Sequence, residues 1–211
     1  MRGLIVSSGS IDNCSLLKEE AEKSDFIICA DGGFDHLNKL DIIPDILLGD
    51  MDSISENGLK LIKEFNIPIE KFPSRKDETD TELSVLYLLK RNITDITMMG
   101  VTGSRMDHSL ANILLLRKIH NNGGKAKIID KNNIIYYVRD YLELENRLGY
   151  FVSLIPITCE GVNVSLNGFN YPLDKMHIEF ASTLGISNVI SDEKGVIVIH
   201  KGEALVFQSK D

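Results

Sequence analysis

The amino-acid sequence predicts two domains of different class: an N-terminal α/β domain with a mainly parallel, doubly wound sheet, and a C-terminal all-β sandwich. From residue 1 to about 130, short apolar runs alternate with segments whose apolar residues recur at helical spacing. After about residue 131 the helical spacing stops, and short runs separated by turn signals follow. The junction is expected at Asp130-Lys131-Asn132-Asn133, which gives domains of residues 1–131 and 132–211.

The first domain is predicted from strands and helices that alternate along the chain. Short β-branched runs between helices indicate a parallel sheet that is covered on both faces. In such sheets, ligands bind at the carboxyl ends of the strands. The expected strands are 4–6, 26–30, 46–48, 69–72, 96–99 and 126–129, and the expected helices are 14–23, 34–40, 56–65, 81–91 and 109–121.

The second domain is predicted from short strands alone. In the stretch VNVSLN, Val162, Val164 and Leu166 alternate with polar residues, which is the two-residue period of a half-buried strand. Asn-Gly at 167–168 and Lys-Gly at 201–202 are turn signals. An antiparallel β-sandwich follows from this pattern. Its expected strands are 150–156, 161–167, 186–190, 195–200 and 204–208.

Composition narrows the range of partners. The 211-residue chain has a formal charge of −8, which argues against non-specific nucleic-acid binding and is compatible with a cationic ligand or divalent metal ions. No apolar stretch approaches the roughly 20 residues that span a bilayer, and the N-terminal apolar run is too short for a signal peptide. We therefore expect a cytoplasmic protein without a membrane or nucleic-acid partner. Three widely spaced cysteines argue against disulfides, and Cys29 is expected in the core.

Two carboxylates follow the expected strand 46–48. Asp50 and Asp52 are one residue apart, so in an extended segment their side chains share a face. Oxygen ligands in this arrangement suit Mg²⁺, which can bridge to phosphates. The alternative is that Asp52 and Ser53 merely begin a helix, because residues 53–56 fit a capping box.

A second loop, CADGGFDH, follows the expected strand 26–30. Asp31 comes first, and Gly32-Gly33 opens the next helix. Two glycines at this position let a phosphate approach the backbone N–H groups of the helix N-terminus. The alternative for a Gly-Gly pair is a tight turn.

A third loop, FPSRKDETDTE, mixes cations with carboxylates before a helix. An Arg-Lys pair at 75–76 lies close to Asp77 and Asp80. Residues 79–82 fit a capping box, which gives Thr79 and Asp80 an adequate structural explanation but does not explain the cations. The mixture suits a metal-bound polyphosphate.

A fourth loop, MGVTGSRMDHS, follows the expected strand 96–99. Residues 100–104 form a flexible turn rich in N–H groups, and the fork of Arg105 suits phosphate oxygens. Asp107 either caps the following helix or orients Arg105. His108, near a helix start, is more often a surface residue than a catalyst.

The four loops together indicate phosphoryl-type transfer. A doubly wound sheet gathers the loops at one edge, where they offer carboxylates for a metal, N–H groups for phosphate, and Arg and Lys for charge. The sequence contains neither the Walker pattern G-x-x-x-x-G-K-[ST] nor the protein-kinase motifs.

These motifs resemble those of the thiamine pyrophosphokinase (thiamine diphosphokinase) family. The resemblance lies in ADGG (30–33), PD-x-x-x-GD-x-DS (44–53), KD-x-TD (76–80), G-x-TG-x-R-x-DH (100–108) and GISN (185–188). It implies transfer of a pyrophosphoryl group from ATP to the hydroxyethyl oxygen of thiamine, with AMP released. It also implies a homodimer in which each active site is shared between the α/β domain of one subunit and the β-sandwich of the other.

The resemblance also assigns residues. Residues 1–131 become the ATP- and Mg²⁺-binding catalytic domain, and residues 132–211 the thiamine-binding and dimerisation domain. Some members of the family stack an aromatic residue, often Trp, on thiamine, and this chain has no Trp. The implied Mg²⁺ ligands are Asp31, Asp50, Asp52 and Asp80; the catalytic residues are Asp50, Asp52, Asp80 and Arg105; the ATP-binding residues are Asp31, Gly32, Gly33, Lys76, Asp77, Thr79, Thr102, Gly103, Ser104, Arg105, Asp107 and His108; and the thiamine-binding residues are Ser187 and Asn188.

Two other functions stay open from the residues. One is a different Mg²⁺-dependent phosphotransfer enzyme, such as an aspartyl-phosphate phosphatase, because DMDS loosely resembles a D-x-D nucleophile loop. That alternative leaves the β-rich half and KDETD unexplained. The other is a non-catalytic nucleotide or thiamine sensor, against which the crowded acidic edge argues.

Overall fold

The computed structural model describes residues 1–49, 54–71 and 77–211. The chain divides into two compact units, Met1–Lys131 and Asn132–Asp211. The candidate phosphate loops of the sequence all fall within the residue range of the first unit.

The described residues of the first unit form six parallel strands. They are β1 (Arg2–Val6), β2 (Phe26–Ala30), β3 (Ile46–Gly49), β4 (Ile69–Lys71), β5 (Asp95–Met99) and β6 (Lys125–Ile129). Their spatial order is β4-β3-β2-β1-β5-β6, with every adjacent pair parallel. The chain therefore runs outward from β1 to β4 and then returns to the other side of β1, which places the topological switch point between β1 and β5. The predicted parallel α/β sheet is confirmed.

The sheet is held by apolar side chains that the strands bury. Leu4, Ile5 and Val6 of the central strand are fully buried, as are Leu47 and Leu48 of β3. Burying each such side chain contributes about 1.5–3 kcal/mol, an upper estimate because the unfolded chain already buries part of this surface. Cys29 is also fully buried, which confirms that it belongs to the core.

Within the described part of the chain, five helices connect the strands. They are α1 (Cys14–Glu22), α2 (Phe34–Asn38), which follows a 3₁₀ turn at Asp31–Gly33, α3 (Glu56–Glu64), α4 (Asp80–Lys90) and α5 (Met106–Asn121). Among the described residues, no helix is long and apolar enough to cross a membrane.

Capping side chains set where two of these helices begin. Ser55 accepts a hydrogen bond from the Gly58 N–H at 3.1 Å and begins α3, so the capping box that would start at Ser53 is not the start of this helix. Thr79 accepts one from the Glu82 N–H at 3.2 Å and begins α4, as the capping-box pattern predicts.

The second unit is all β, as predicted. Strands β7 (Asn133–Val138), β13 (Ala204–Ser209) and β9 (Phe151–Pro156) pair antiparallel. Strands β11 (Leu173–Ile178), β10 (Val162–Asn167), β12 (Lys194–Lys201) and β8 (Tyr141–Glu145) form a second antiparallel sheet. One buried cluster takes side chains from both sets of strands, including Val152, Val206, Val164 and Ile197. The alternating face of β10 that the sequence predicts points into this cluster.

The prediction of a strand at 186–190 is wrong. Ser187 has a φ of +60°, a left-handed conformation that does not continue a strand. The segment makes two isolated bridges instead, Asn188 with Val152 and Ile190 with Phe169. Conversely, β7, β8 and β11 were not predicted. In β11 the residues from Asp174 to His177 are exposed, so the apolar alternation that marks a half-buried strand is missing.

Candidate active site

A pocket opens at the switch point, where β1 and β5 end. Its volume is about 310 Å³. Clefts at this position in parallel sheets are the usual ligand sites of such folds. The pocket is lined by Ser7, Ser8, Gly9, Thr81, Gly100, Val101, Thr102, Gly103, Ser104, Arg105, His108, Ser109 and Asn112.

Two loops form this pocket by direct backbone contact. The Gly9 N–H donates to the Gly100 carbonyl oxygen at 2.6 Å, and the Ser10 N–H donates to the Thr102 carbonyl oxygen at 3.0 Å. A Cβ on Gly9 would lie 2.4 Å from both of these carbonyl oxygens, and Gly100 has a φ of +65°. The loops can therefore approach this closely because both positions are glycine.

The starts of α4 and α5 support the same loops. Thr81, in the first turn of α4, shares a 3.0 Å hydrogen bond between its hydroxyl and that of Ser7. The Ser109 hydroxyl accepts from the Gly103 N–H at 3.1 Å, and the Asn112 side-chain amide donates to the Val101 carbonyl oxygen at 2.8 Å. Buried polar side chains of α5 therefore hold the backbone of the 101–103 turn in place.

Arg105 forms a two-point ion pair with Asp107. Its Nε lies 3.2 Å from Oδ1, and an Nη lies 2.6 Å from Oδ2. The hydrogen bond from Arg105 lowers the pKa of Asp107 to about 2, and the same bond raises the pKa of Arg105. Both groups are therefore charged at neutral pH. About two thirds of each side chain is exposed, so the guanidinium remains accessible to an anion in the pocket.

Asp31 carries an unpaired carboxylate oxygen at the carboxyl end of β2. Its Oδ1 is buried and has no hydrogen-bond partner among the described residues. Its φ is +49°, a conformation that Asp tolerates better than most residues. A Cβ on Gly49, the last residue of β3, would lie 3.3 Å from the Asp31 Cβ. The end of β3, immediately before Asp50, thus adjoins this carboxylate.

A buried carboxylate oxygen without a hydrogen bond is costly unless a cation binds it. Oxygen ligands of this kind are those that Mg²⁺ prefers, so Asp31 fits a metal ligand. No cluster of three metal-binding side chains occurs within residues 1–49, 54–71 and 77–211. Asp50 and Asp52 lie outside the described residues. Asp80 is half-buried at the first position of α4, next to Thr81 of the pocket.

Among the other predicted phosphate residues, Gly33 lies at this edge of the sheet. A Cβ on Gly33 would lie 2.1 Å from the Val6 carbonyl oxygen, so this glycine lets the turn pack against β1. Asp77 and Thr79 are exposed in the turn before α4. Lys76 lies outside the described residues. The structure brings five predicted ATP-binding residues into the pocket: Thr102, Gly103, Ser104, Arg105 and His108.

Ser187 and Asn188 lie in the second unit and differ in exposure. Ser187 is exposed. Asn188 is 8% exposed, and its Oδ1 accepts from the Tyr171 N–H at 3.1 Å and the Val189 N–H at 2.9 Å. Its Nδ2 donates to the Tyr171 carbonyl oxygen at 2.8 Å. Asn188 therefore fixes the backbone of Tyr171, whose side chain is 71% exposed.

Comparison with known proteins agrees with this architecture. Residues 17–128 match the model for the thiamin pyrophosphokinase catalytic domain, and residues 141–205 match the model for the thiamin pyrophosphokinase vitamin B1 binding domain. The chain belongs to the thiamine pyrophosphokinase family. The resemblance carried by the sequence motifs is thereby confirmed.

Individual relatives support the same assignment. A thiamine pyrophosphokinase of Bacillus subtilis is 34% identical over 174 residues, which cover 81% of this chain and 80% of that protein. A crystal structure of thiamine pyrophosphokinase from Bacillus subtilis has a TM-score of 0.91, with 31% identity and full coverage of both chains. One from Geobacillus thermodenitrificans has a TM-score of 0.88 at 28% identity, covering 100% of this chain and 98% of that one.

Family membership confirms the predicted enzyme class, a transferase with thiamine pyrophosphokinase activity. Sequence reasoning nevertheless missed part of the pocket. The stretch SSGS, residues 7–10, follows the first strand just as the four predicted phosphate loops follow theirs. Its position after a strand could therefore have identified it as part of the ligand site. Thr81, Ser109 and Asn112 had no such signal, because they lie inside helices and reach the pocket through side-chain hydrogen bonds.

Proposed function

We propose that this chain transfers the pyrophosphoryl group of ATP to the hydroxyethyl oxygen of thiamine at the pocket between β1 and β5, giving thiamine diphosphate and AMP. The observation that carries the proposal is the pocket at the switch point of the parallel sheet. The family to which the chain belongs is named for this reaction. The wall of the pocket combines glycine-rich backbone with one accessible guanidinium, Arg105. These are groups that bind a polyphosphate.

The ATP phosphates are assigned to the loops at this edge. Arg105 grips phosphate oxygens with its planar fork, and Asp107 keeps the guanidinium oriented until the anion arrives. Lys76 adds a second cation. The remaining ATP contacts are assigned to Asp31, Gly32, Gly33, Asp77, Thr79, Thr102, Gly103, Ser104 and His108.

The acidic residues are assigned to Mg²⁺. Asp31, Asp50, Asp52 and Asp80 would hold the ion, and the unpaired oxygen of Asp31 supports this assignment. Bound Mg²⁺ supplies neutralisation of charge on the phosphate oxygens. The same carboxylates favour a substrate whose thiazolium ring is positive.

The reaction forms one oxygen–phosphorus bond and breaks another. The hydroxyethyl oxygen of thiamine attacks the β-phosphorus, and the bond from that phosphorus to the α–β bridging oxygen breaks, so that AMP leaves. A carboxylate, Asp50 or Asp52, accepts the hydroxyl proton. Arg105 or Lys76 stabilises the charge that develops on the bridging oxygen. Positioning of the two substrates contributes more than basicity in a loose transition state.

Thiamine is assigned to the segment around Ser187 in the second unit. Ser187 is exposed and offers a hydroxyl, whereas Asn188 acts on the segment by fixing Tyr171. Direct binding of thiamine by Asn188 stays a prediction. The exposed ring of Tyr171 is the side chain we assign to ring stacking in a chain without Trp.

We further propose a cytoplasmic homodimer with shared active sites. Each site takes its phosphate loops from one subunit and Ser187-Asn188 from the other. Exposed apolar side chains near this segment support a subunit interface there. In the single chain, each of Phe180, Leu184 and Ile186 is more than two fifths exposed, and a partner subunit would cover such a surface.

A turnover assay tests the reaction. AMP release from Mg²⁺-ATP is measured with and without thiamine, and thiamine-dependent AMP is expected. Asp52→Asn should keep the fold and lose most activity across a Mg²⁺ titration. A phosphoaspartate trapped during turnover would favour the phosphatase alternative. Binding of both ligands without AMP release would favour a sensor.

Mixing two inactive variants tests the shared site. One variant is Asp52→Asn, and the other carries Ser187→Ala and Asn188→Ala together. A mixed dimer with shared sites has one site with both lesions and one with neither, so up to half of the sites in mixed dimers should recover activity. Sites built within one chain would each keep a lesion. Absence of recovery after demonstrated subunit exchange would therefore contradict sharing.

A further inference from the structure

The imidazole of His36 joins two loops of the candidate active site that are far apart in sequence. Its Nε2 lies 2.8 Å from the carbonyl oxygen of Gly9, 27 residues earlier in the chain. A carbonyl oxygen can only accept a hydrogen bond, so Nε2 carries the proton. His36 therefore donates to the loop that follows β1.

Gly9 occupies a demanding position in that loop. Its N–H donates to Gly100, and its Cα lies between the carbonyl groups of Gly100 and Thr102. The hydrogen bond from His36 holds the same residue through its carbonyl group. Ser8 and Gly9 both line the pocket, so the orientation of this backbone determines the shape of one wall.

His36 itself is held firmly by the short helix α2. Phe34 and Leu37 on either side of it are buried, at 2% and 0% exposure. Gly33 packs against the Val6 carbonyl, which fixes where the helix begins. The turn that starts α2 also carries Asp31. One rigid segment thus bears both the unpaired carboxylate and the donor to Gly9.

We propose that His36 is a positioning residue that holds the β1 loop in the nucleotide pocket and keeps this loop aligned with Asp31. The inference rests on the proposed function in one respect: the ligand of the pocket is ATP. His36 acts through the Gly9 backbone, so its loss should weaken nucleotide binding while thiamine binding stays unchanged.

Three substitutions and one control test this role. His36→Phe keeps a planar ring but has no donor, and His36→Ala removes the ring without any risk of a clash. His36→Gln keeps a side-chain N–H that can reach a carbonyl. The control is His120→Ala, near the opposite end of the 16-residue helix α5 from the pocket.

Loss of one hydrogen bond should raise the KM for ATP about three- to tenfold in His36→Phe and His36→Ala. The KM for thiamine should not change. His36→Gln should restore the KM for ATP to within about twofold of the wild-type value, because a donor is again present. The control should keep the wild-type KM for ATP. In hydrogen exchange, the peptide covering residues 7–10 should exchange faster in His36→Phe and normally in His36→Gln.

Several outcomes would overturn the inference. A His36→Phe enzyme with wild-type KM for ATP would do so. So would equal losses for ATP and thiamine in all three His36 variants, since that pattern indicates general instability. Calorimetric binding of ATP separates this inference from the proposed function. If the wild type binds ATP but releases no AMP, a three- to tenfold weaker Kd in His36→Phe still supports the positioning role, whereas an unchanged Kd removes it.

Discussion

The pocket between β1 and β5 and the segment around Ser187 hold their exposed groups in different ways. At the pocket, two loops bond backbone to backbone through Gly9 and Gly100, and helix side chains only support them. At the second segment, a single buried amide, that of Asn188, makes three hydrogen bonds to the backbone. The conformation of the pocket loops therefore depends on two positions that have no side chain, Gly9 and Gly100. The conformation of the second segment depends on one side chain, that of Asn188.

Substitution of a glycine in the pocket loops should have the largest effect on the free energy of unfolding. A Cβ at Gly100 would lie 2.2 Å from the Ser7 carbonyl oxygen, and its φ is +65°. We expect Gly100→Ala to lower the free energy of unfolding by about 3 kcal/mol or more, as measured by urea denaturation. Gly123→Ala is the matched control, because Gly123 has a φ of +78° but no described atom within 4 Å of the added Cβ. Its cost should be about 1 kcal/mol. Equal losses of stability in the two variants would show that Gly100 is required for its positive φ and not for the close contact between the loops.

Removal of the Asn188 amide should have the next largest effect. Asn188→Ala leaves partly buried backbone groups of Tyr171 and Val189 without their side-chain partner, so we expect about 2 kcal/mol of destabilisation. Asn188→Asp keeps the acceptor oxygen but turns a carboxylate oxygen towards the Tyr171 carbonyl oxygen, so it should destabilise the protein at least as much. Thermal unfolding and the KM for thiamine are measured together. A raised KM with unchanged stability in Asn188→Asp would show that this residue binds thiamine directly, as the family motif predicts.

Removal of a charge away from both regions, at Glu20, should change the free energy of unfolding without changing substrate binding. Glu20 is buried in the first unit and pairs with Lys127 at 3.1 Å and with Lys23 at 3.1 Å. Burial alone would raise the pKa of Glu20, but the two lysines lower it below its ordinary value of 4.5. A lowered folded-state pKa means that the pairing stabilises the protein above the unfolded-state pKa and that this contribution is lost as pH falls through the folded-state value.

We therefore expect Glu20→Gln to cost about 1.5 kcal/mol at neutral pH, with a difference from wild type that shrinks as the pH falls from neutral to below 4.5. Urea denaturation at each pH measures it. The KM values for ATP and thiamine should stay unchanged at neutral pH. A constant difference across this pH range would contradict the ionic origin of the stabilisation.

The smallest expected effect concerns Arg105, the accessible cation of the pocket. A lysine keeps the charge but cannot copy the two-point geometry. We expect Arg105→Lys to lower kcat/KM about fivefold, or about 1 kcal/mol, with unchanged thermal stability. Arg91→Lys is the control: Arg91 stacks on the Tyr87 ring at the opposite end of α4 from Thr81, so its replacement should leave kcat/KM at the wild-type value. Equal kcat/KM for Arg105→Lys and wild type would rule out a bidentate role.

Periodicity was a sufficient signal in the first unit because its central strands are buried on both faces, although the edge strand β4 is exposed. Val6, Cys29 and Leu48 each end an apolar run, and each strand forms within two residues of the predicted boundaries. In the second unit the signal weakened. The exposed strand Leu173–Ile178 lacks apolar alternation, and the apolar residues of 186–190 suggested a strand that the left-handed backbone of Ser187 prevents.

The sequence by itself determined the fold class and the family, and it predicted the loops to which we assign phosphate binding. These depend on local periodicity and on residues that are close together in the chain, such as Arg105 and Asp107. Tertiary structure alone decided which side chains face one another across long separations. The bonds from His36 to Gly9 and from Ser7 to Thr81, and the clamp of Asn188 on Tyr171, follow from how strands and helices are stacked. A one-dimensional pattern does not specify such contacts, because several side chains of similar polarity could occupy each position until packing selects one.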